Sequence, residues 1–93
     1  MELDIEQKIL DRIKNPGWVT TRGILLDPAS PADSEESIKI QAVMRSLSDK
    51  GMVALWRLVI EADGTELMAA ARPDLELDKD LERRGAWAKA VRY

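Results

Sequence analysis

The side chains of this 93-residue chain that can do chemistry are charged and hydrogen-bonding groups, not nucleophiles or soft metal ligands. Cys and His are both absent. That excludes ordinary zinc, haem and iron–sulfur ligation, disulfides, thiol catalysis and imidazole acid–base work. Carboxylates are plentiful, but no motif sets two of them across a cleft. No phosphate-binding glycine loop, dinucleotide turn or nucleophile elbow occurs either. The five glycines, at 17, 23, 51, 64 and 85, fall at expected turns and breaks. Catalysis is not expected, and no cofactor or metal site is assigned. Recognition chemistry remains. Ser37, Lys39, Gln41 and Arg45 stand at outward positions of one helical segment, Arg83, Arg84, Lys89 and Arg92 form a basic run, and Trp18, Trp56 and Trp87 are large amphipathic groups.

The elements that must position these groups follow from hydrophobic periodicity. Asp4 and Gln7 form a capping-box pattern ahead of Ile5, Ile9, Leu10 and Ile13, which share one helical face. Asn15-Pro16-Gly17 stops that helix, and Trp18-Val19 suits a brief strand. Thr20 is the expected N-cap of a short second helix reaching Leu26, and residues 27–34 read as loop. A third helix opens at Asp33 or Ser34, with Glu35 and Glu36 complementing its dipole and Ile40, Val43, Met44 and Leu47 as its apolar stripe. Gly51 closes it in a position that wants a left-handed residue. The period then changes: Met52 to Ile60 and Thr65 to Arg72 flank an Asp63-Gly64 turn, a hairpin signal, and Pro73 ends the second strand. From Asp78 to Val91 the spacing of Leu81, Ala88 and Val91, with Leu77 just ahead, predicts a last helix.

Composition sets the frame. With 45% hydrophobic and 33% charged residues the chain is an ordinary globular one, not a disordered one. Its length suits a single small core. The run from Met52 to Ile60 is too short to span a bilayer and is broken by Arg57, and the acidic start MELDIEQ does not resemble a signal peptide, so a cytoplasmic location away from membranes is expected. The net charge of −3 is spread evenly. One segregation stands out: residues 74–82 hold five acids and one base, whereas 83–93 hold four bases and no acid.

The order of helix, short strand, helix, helix and hairpin, with Val43-Met44-Arg45-Ser46-Leu47-Ser48-Asp49-Lys50-Gly51-Met52-Val53 at its centre, resembles the winged helix-turn-helix family over about residues 4–72. The stretch looks like the end of that family's recognition helix, where an apolar pair and a leucine precede a Lys-Gly turn into the first wing strand. The resemblance implies an α+β fold of three helices plus a wing in residues 1–73, with 74–93 as an added C-terminal helical extension. The long connection at 27–34 departs from the family's tight turn, and the last helix lies outside its core.

In that family the third helix enters the major groove of double-stranded DNA. The resemblance therefore implies a small DNA-binding transcriptional regulator in which Ser37, Lys39, Gln41 and Arg45 face the duplex, Gln pairing with adenine, Arg with guanine, Lys and Ser with phosphate. Glu35, Glu36 and an acidic wing tip of Glu61, Asp63 and Glu66 oppose phosphate contact. The alternative is an acidic adaptor that docks a protein without DNA, anchored by Trp56 or Trp87. Trp56 faces solvent if Leu55 faces the core, and the reverse holds in the other register. The last helix has two readings: its charge order simply suits its dipole, or Leu77, Leu81, Trp87, Ala88 and Val91 form a homodimer face.

Overall fold

The computed structural model describes residues 2–15, 17–25, 31, 33–85 and 87–93. Among these the elements run α1 (Glu2–Lys14), β1 (Trp18–Thr20), α2 (Thr21–Ile24), α3 (Glu35–Asp49), β2 (Ala54–Ile60), β3 (Glu66–Ala71), α4 (Leu77–Arg83) and β4 (Ala88–Arg92). The fold is α+β. Its antiparallel sheet has the order β1-β3-β2-β4. Pro16, Leu26 and positions 27–30 and 32 of the expected loop lie outside the described residues.

Local rules account for most boundaries. The Thr20 hydroxyl caps α2 by accepting from the Gly23 N–H at 3.3 Å, and Ser34 does the same for α3 through Ser37 at 3.2 Å. Gly23 has a second duty: a Cβ there would lie 2.9 Å from Val19 Cγ2, so the α2–β1 approach needs a bare backbone. Gly51 takes φ +75 after α3, the left-handed conformation expected of it. One expected cap is corrected. α1 begins at Glu2, so Asp4 sits inside the first turn, where a carboxylate still favours the dipole, and Gln7 bonds forward to Asp11 at 2.9 Å.

The sheet is buried on both faces. Ile9, Ile13, Ile24, Ile40, Met44 and Leu47 from the first three helices pack on Val53, Met68 and Ala70. On the opposite face Ala54, Trp56, Leu58, Ala69 and Ala71 pack on Leu77 and Leu81 of α4. Alternation along β2 therefore sends Leu55 towards α3 and Trp56 towards α4, both into apolar surroundings. The indole N–H of Trp56 has no acceptor among the described residues, so this ring is held by packing and by Arg92, whose guanidinium lies 5.6 Å from the ring centre. β3 lies between β1 and β2 and is covered above and below, which accounts for its unbroken apolar run Met68–Ala71.

The C-terminal region departs from expectation. The helix is half the expected length: it ends at Arg83 with Arg84 as its C-cap, Gly85 turns the chain at φ +67, and residues 88–92 pair antiparallel with β2. The apolar positions 77, 81, 88 and 91 fit a helix on paper, but Gly85 divides them, and beyond it the true period is two. Ala88 and Ala90 turn to the α4 side of the sheet, and Trp87, Lys89, Val91 and Tyr93 to the α3 side. The single-helix homodimer face is accordingly corrected. Leu77 and Leu81 are interior residues of their own chain, whereas Trp87 (81% exposed), just before β4, and Val91 (48% exposed), within it, face the other side of the sheet.

Burial of this second face should be indispensable. Leu77→Ala and Trp56→Ala are each expected to cost about 2–5 kcal/mol, whereas Trp87→Ala should stay within about 0.5 kcal/mol. Denaturant unfolding monitored by circular dichroism checks this. Equal, small losses for all three would contradict two-sided burial.

Candidate nucleic-acid interface

Helical spacing divides the outward residues of α3 into separate faces. Ser37 lies three residues before Ile40 and seven before Met44, so it shares the buried stripe: it is 2% exposed and accepts from Gln41 Nε2 at 3.3 Å. It is not on the solvent face expected for it. Lys39 points the other way, towards the α1 side, where it shares a depression with Asp4 and Lys8 and meets Glu35 at 3.9 Å. Gln41 and Arg45 stand four residues apart and open onto a groove of about 450 Å³. Between these faces Ile38 is 55% exposed, and Ala42 is exposed beside it.

The groove is walled by α2, α3 and the β2–β3 hairpin. Arg22 comes from α2, Arg45 and Gln41 from α3, Arg57 from β2, and Tyr93 from the residue after β4. Three arginines thus line one concave surface, together with Asp33 and Glu66. Arg45 has no ion-pair partner among the described residues. Arg57 reaches the groove because it follows Leu55 by two along β2, past the point where the apolar core ends. Its pairing opposite Met68 places it on the α3 side. That alternation was readable once the hairpin was known. Tyr93 was not findable while its segment read as helix.

The acids expected to oppose an anionic ligand are largely engaged. Glu66 meets Arg57 at 3.4 Å, and Glu61 meets Lys89 at 3.9 Å. Asp63 Oδ1 accepts from the Thr65 N–H at 2.9 Å and closes the hairpin turn. Hydrogen bonds from the Thr65 backbone and then its side chain hold the Asp63 carboxyl below the usual aspartate range, assisted by the Arg22 charge and opposed by slight desolvation. Among the described residues no group of three or more acidic side chains is placed to hold a metal ion. No helix of the described residues is long and apolar enough to cross a membrane.

A depressed carboxyl pKa means that the turn's stabilisation is complete above the unfolded value and fades as pH falls through the folded one. The Thr65 amide resonance should therefore titrate with a midpoint below that of an ordinary aspartate, and Asp63→Asn should abolish the titration. A midpoint at or above the ordinary value would contradict the closed turn. Comparison of the chain with protein-family models, with characterised proteins and with solved structures finds no match, so the groove is read from its own residues.

Proposed function

We propose that residues 4–72 form a winged helix-turn-helix and that the groove between α3 and the hairpin binds double-stranded DNA, as in a small transcriptional regulator. The observation that carries this reading is that Arg22, Arg45 and Arg57 line one open groove together with Gln41 and Tyr93. The element order α1-β1-α2-α3-β2-β3 and the strand order β1-β3-β2 support it. Guanidinium groups suit phosphate and the guanine edge, and an amide suits adenine. The internal engagement of Glu61, Asp63 and Glu66 lessens the repulsion that the wing would otherwise exert on phosphate. Of the residues first considered, Gln41 and Arg45 are retained as groove residues. Lys39 becomes a flanking contact, and Ser37 a support for Gln41.

Exposed Ile38 and Ala42 on the outer surface of α3 favour a second reading, an adaptor that docks protein on the same helix. The two separate cleanly by charge. Fluorescence anisotropy with a labelled duplex at about 50 mM salt should show binding that weakens steeply with added salt. Arg45→Glu and Arg57→Ala should each weaken it by about 1–3 kcal/mol, and Lys39→Ala by less. Absence of duplex binding at low salt would overturn the DNA reading and leave the Ile38 surface as the functional one.

A further inference from the structure

β4 is an edge strand whose outer side has no partner among the described residues. Its hydrogen bonds to β2 identify which groups point outward. The Glu61 N–H donates to the Trp87 carbonyl at 2.9 Å, and the Tyr93 N–H donates to the Leu55 carbonyl at 3.2 Å. Odd-numbered residues of this strand therefore turn their backbone groups towards β2, and Ala88, Ala90 and Arg92 turn theirs to the free edge. Beside that edge runs a groove of about 460 Å³ lined by Glu61, Asp78 and Glu82 together with residues 88–91. Consecutive strand residues line it, so it follows the strand itself and not one face. Asp78 and Glu82 have no ion-pair partner among the described residues.

We infer that the occupant of this edge is β4 of a second copy of the chain, paired antiparallel about a two-fold axis through Ala90. Lys89 and Glu61 neutralise each other within one chain. This leaves Arg92 on the α4 side of the strand and Asp78 and Glu82 beside it in the groove, so the remaining charges of strand and groove are complementary between copies. The register is self-complementary. Ala90 meets Ala90 of the second copy, and Ala88 meets Arg92, all through outward-facing backbone groups. Trp87 falls opposite Tyr93 of the second copy at the closely spaced, non-hydrogen-bonded positions, and Lys89 falls opposite Val91. No like charges meet directly. Trp87 and Tyr93, 81% and 66% exposed in the single chain, become cross-strand aromatic pairs. Charged residues on an edge commonly guard against such pairing. Here they project to the faces of the sheet, and Arg92 of the second copy arrives on the side where Asp78 and Glu82 wait. An axis perpendicular to the sheet keeps both α3 helices on one side of an eight-stranded sheet. The inference shares Tyr93 with the nucleic-acid groove but rests on the free edge of β4, and its test reads mass and cross-linking, not duplex binding.

The absence of cysteine makes the test direct. Light scattering of the intact chain from about 1 μM to about 1 mM should show a concentration-dependent rise from monomer to dimer mass. Ala90→Pro removes an outward N–H that β2 does not use, and should leave the chain monomeric with an unchanged circular dichroism spectrum. The double variant Trp87→Ala/Tyr93→Ala alters only exposed side chains and should raise the dissociation constant at least tenfold. Under mild oxidation Ala90→Cys should cross-link two copies, because the Cα separation of a hydrogen-bonded pair, about 5.5 Å, falls in the disulfide range. Ile38→Cys should not. A monomer mass at the highest concentration would overturn the inference, as would a dimer indifferent to the double variant and cross-linked through Ile38→Cys.

Discussion

A short β-strand alternates its side chains between two faces, and the first half of β2 is apolar on both. Leu55 points to the first three helices, while Trp56 and Leu58 point away from them. A hairpin with that sequence cannot stand with one face in water, because the ring of Trp56 is among the largest apolar surfaces in a chain with no phenylalanine. Everything after Pro73 answers this constraint. α4 supplies Leu77 and Leu81 over the exposed face, Gly85 turns the chain, and β4 returns beside β2 so that Ala88 and Ala90 complete the cover. Small residues there let α4 lie close to the strand.

The same constraint shapes the proposed binding groove. Because α4 lies on one side, the groove between α3 and the hairpin stays open on the other, and Tyr93, just past β4, joins its lining. Even the charges follow the division. Lys89 ties to Glu61, and Arg57 to Glu66, at the hairpin, where exposed pairs contribute little to stability but set the local field. Near-neutral totals thus coexist with a cationic groove on one side and an acidic one along the outer strand. A pI of about 4.9 describes neither surface.

The helices and hairpin were legible in the sequence because their signals are local. Ile9 and Ile13, Ile40 to Leu47, the caps at Thr20 and Ser34, Gly51 and the Asp63-Gly64 turn each state their role within a few residues. The last segment was not legible. Leu77 and Leu81 are truly helical, but Ala88 and Val91 fall at helical intervals only by coincidence, and the pairing that makes 88–92 a strand is with residues some thirty positions earlier. The groove was half legible. Gln41 and Arg45 followed from the face of one helix, whereas Arg22, Arg57 and Tyr93 join them only through packing. Ser37 failed for a simple reason: polarity suggested solvent, but its spacing to Ile40 and Met44 belonged to the core.

The proposed binding of anionic duplex concerns the groove formed by α2, α3 and the hairpin. Backbone amide chemical-shift mapping of isotope-labelled protein with a short duplex at low salt tests it most directly. Binding there should perturb resonances clustered at Arg22, Gln41, Arg45 and Arg57 and leave the Leu77–Arg83 helix silent. An unperturbed spectrum at stoichiometric duplex, or shifts confined to that helix and its flank, would contradict it.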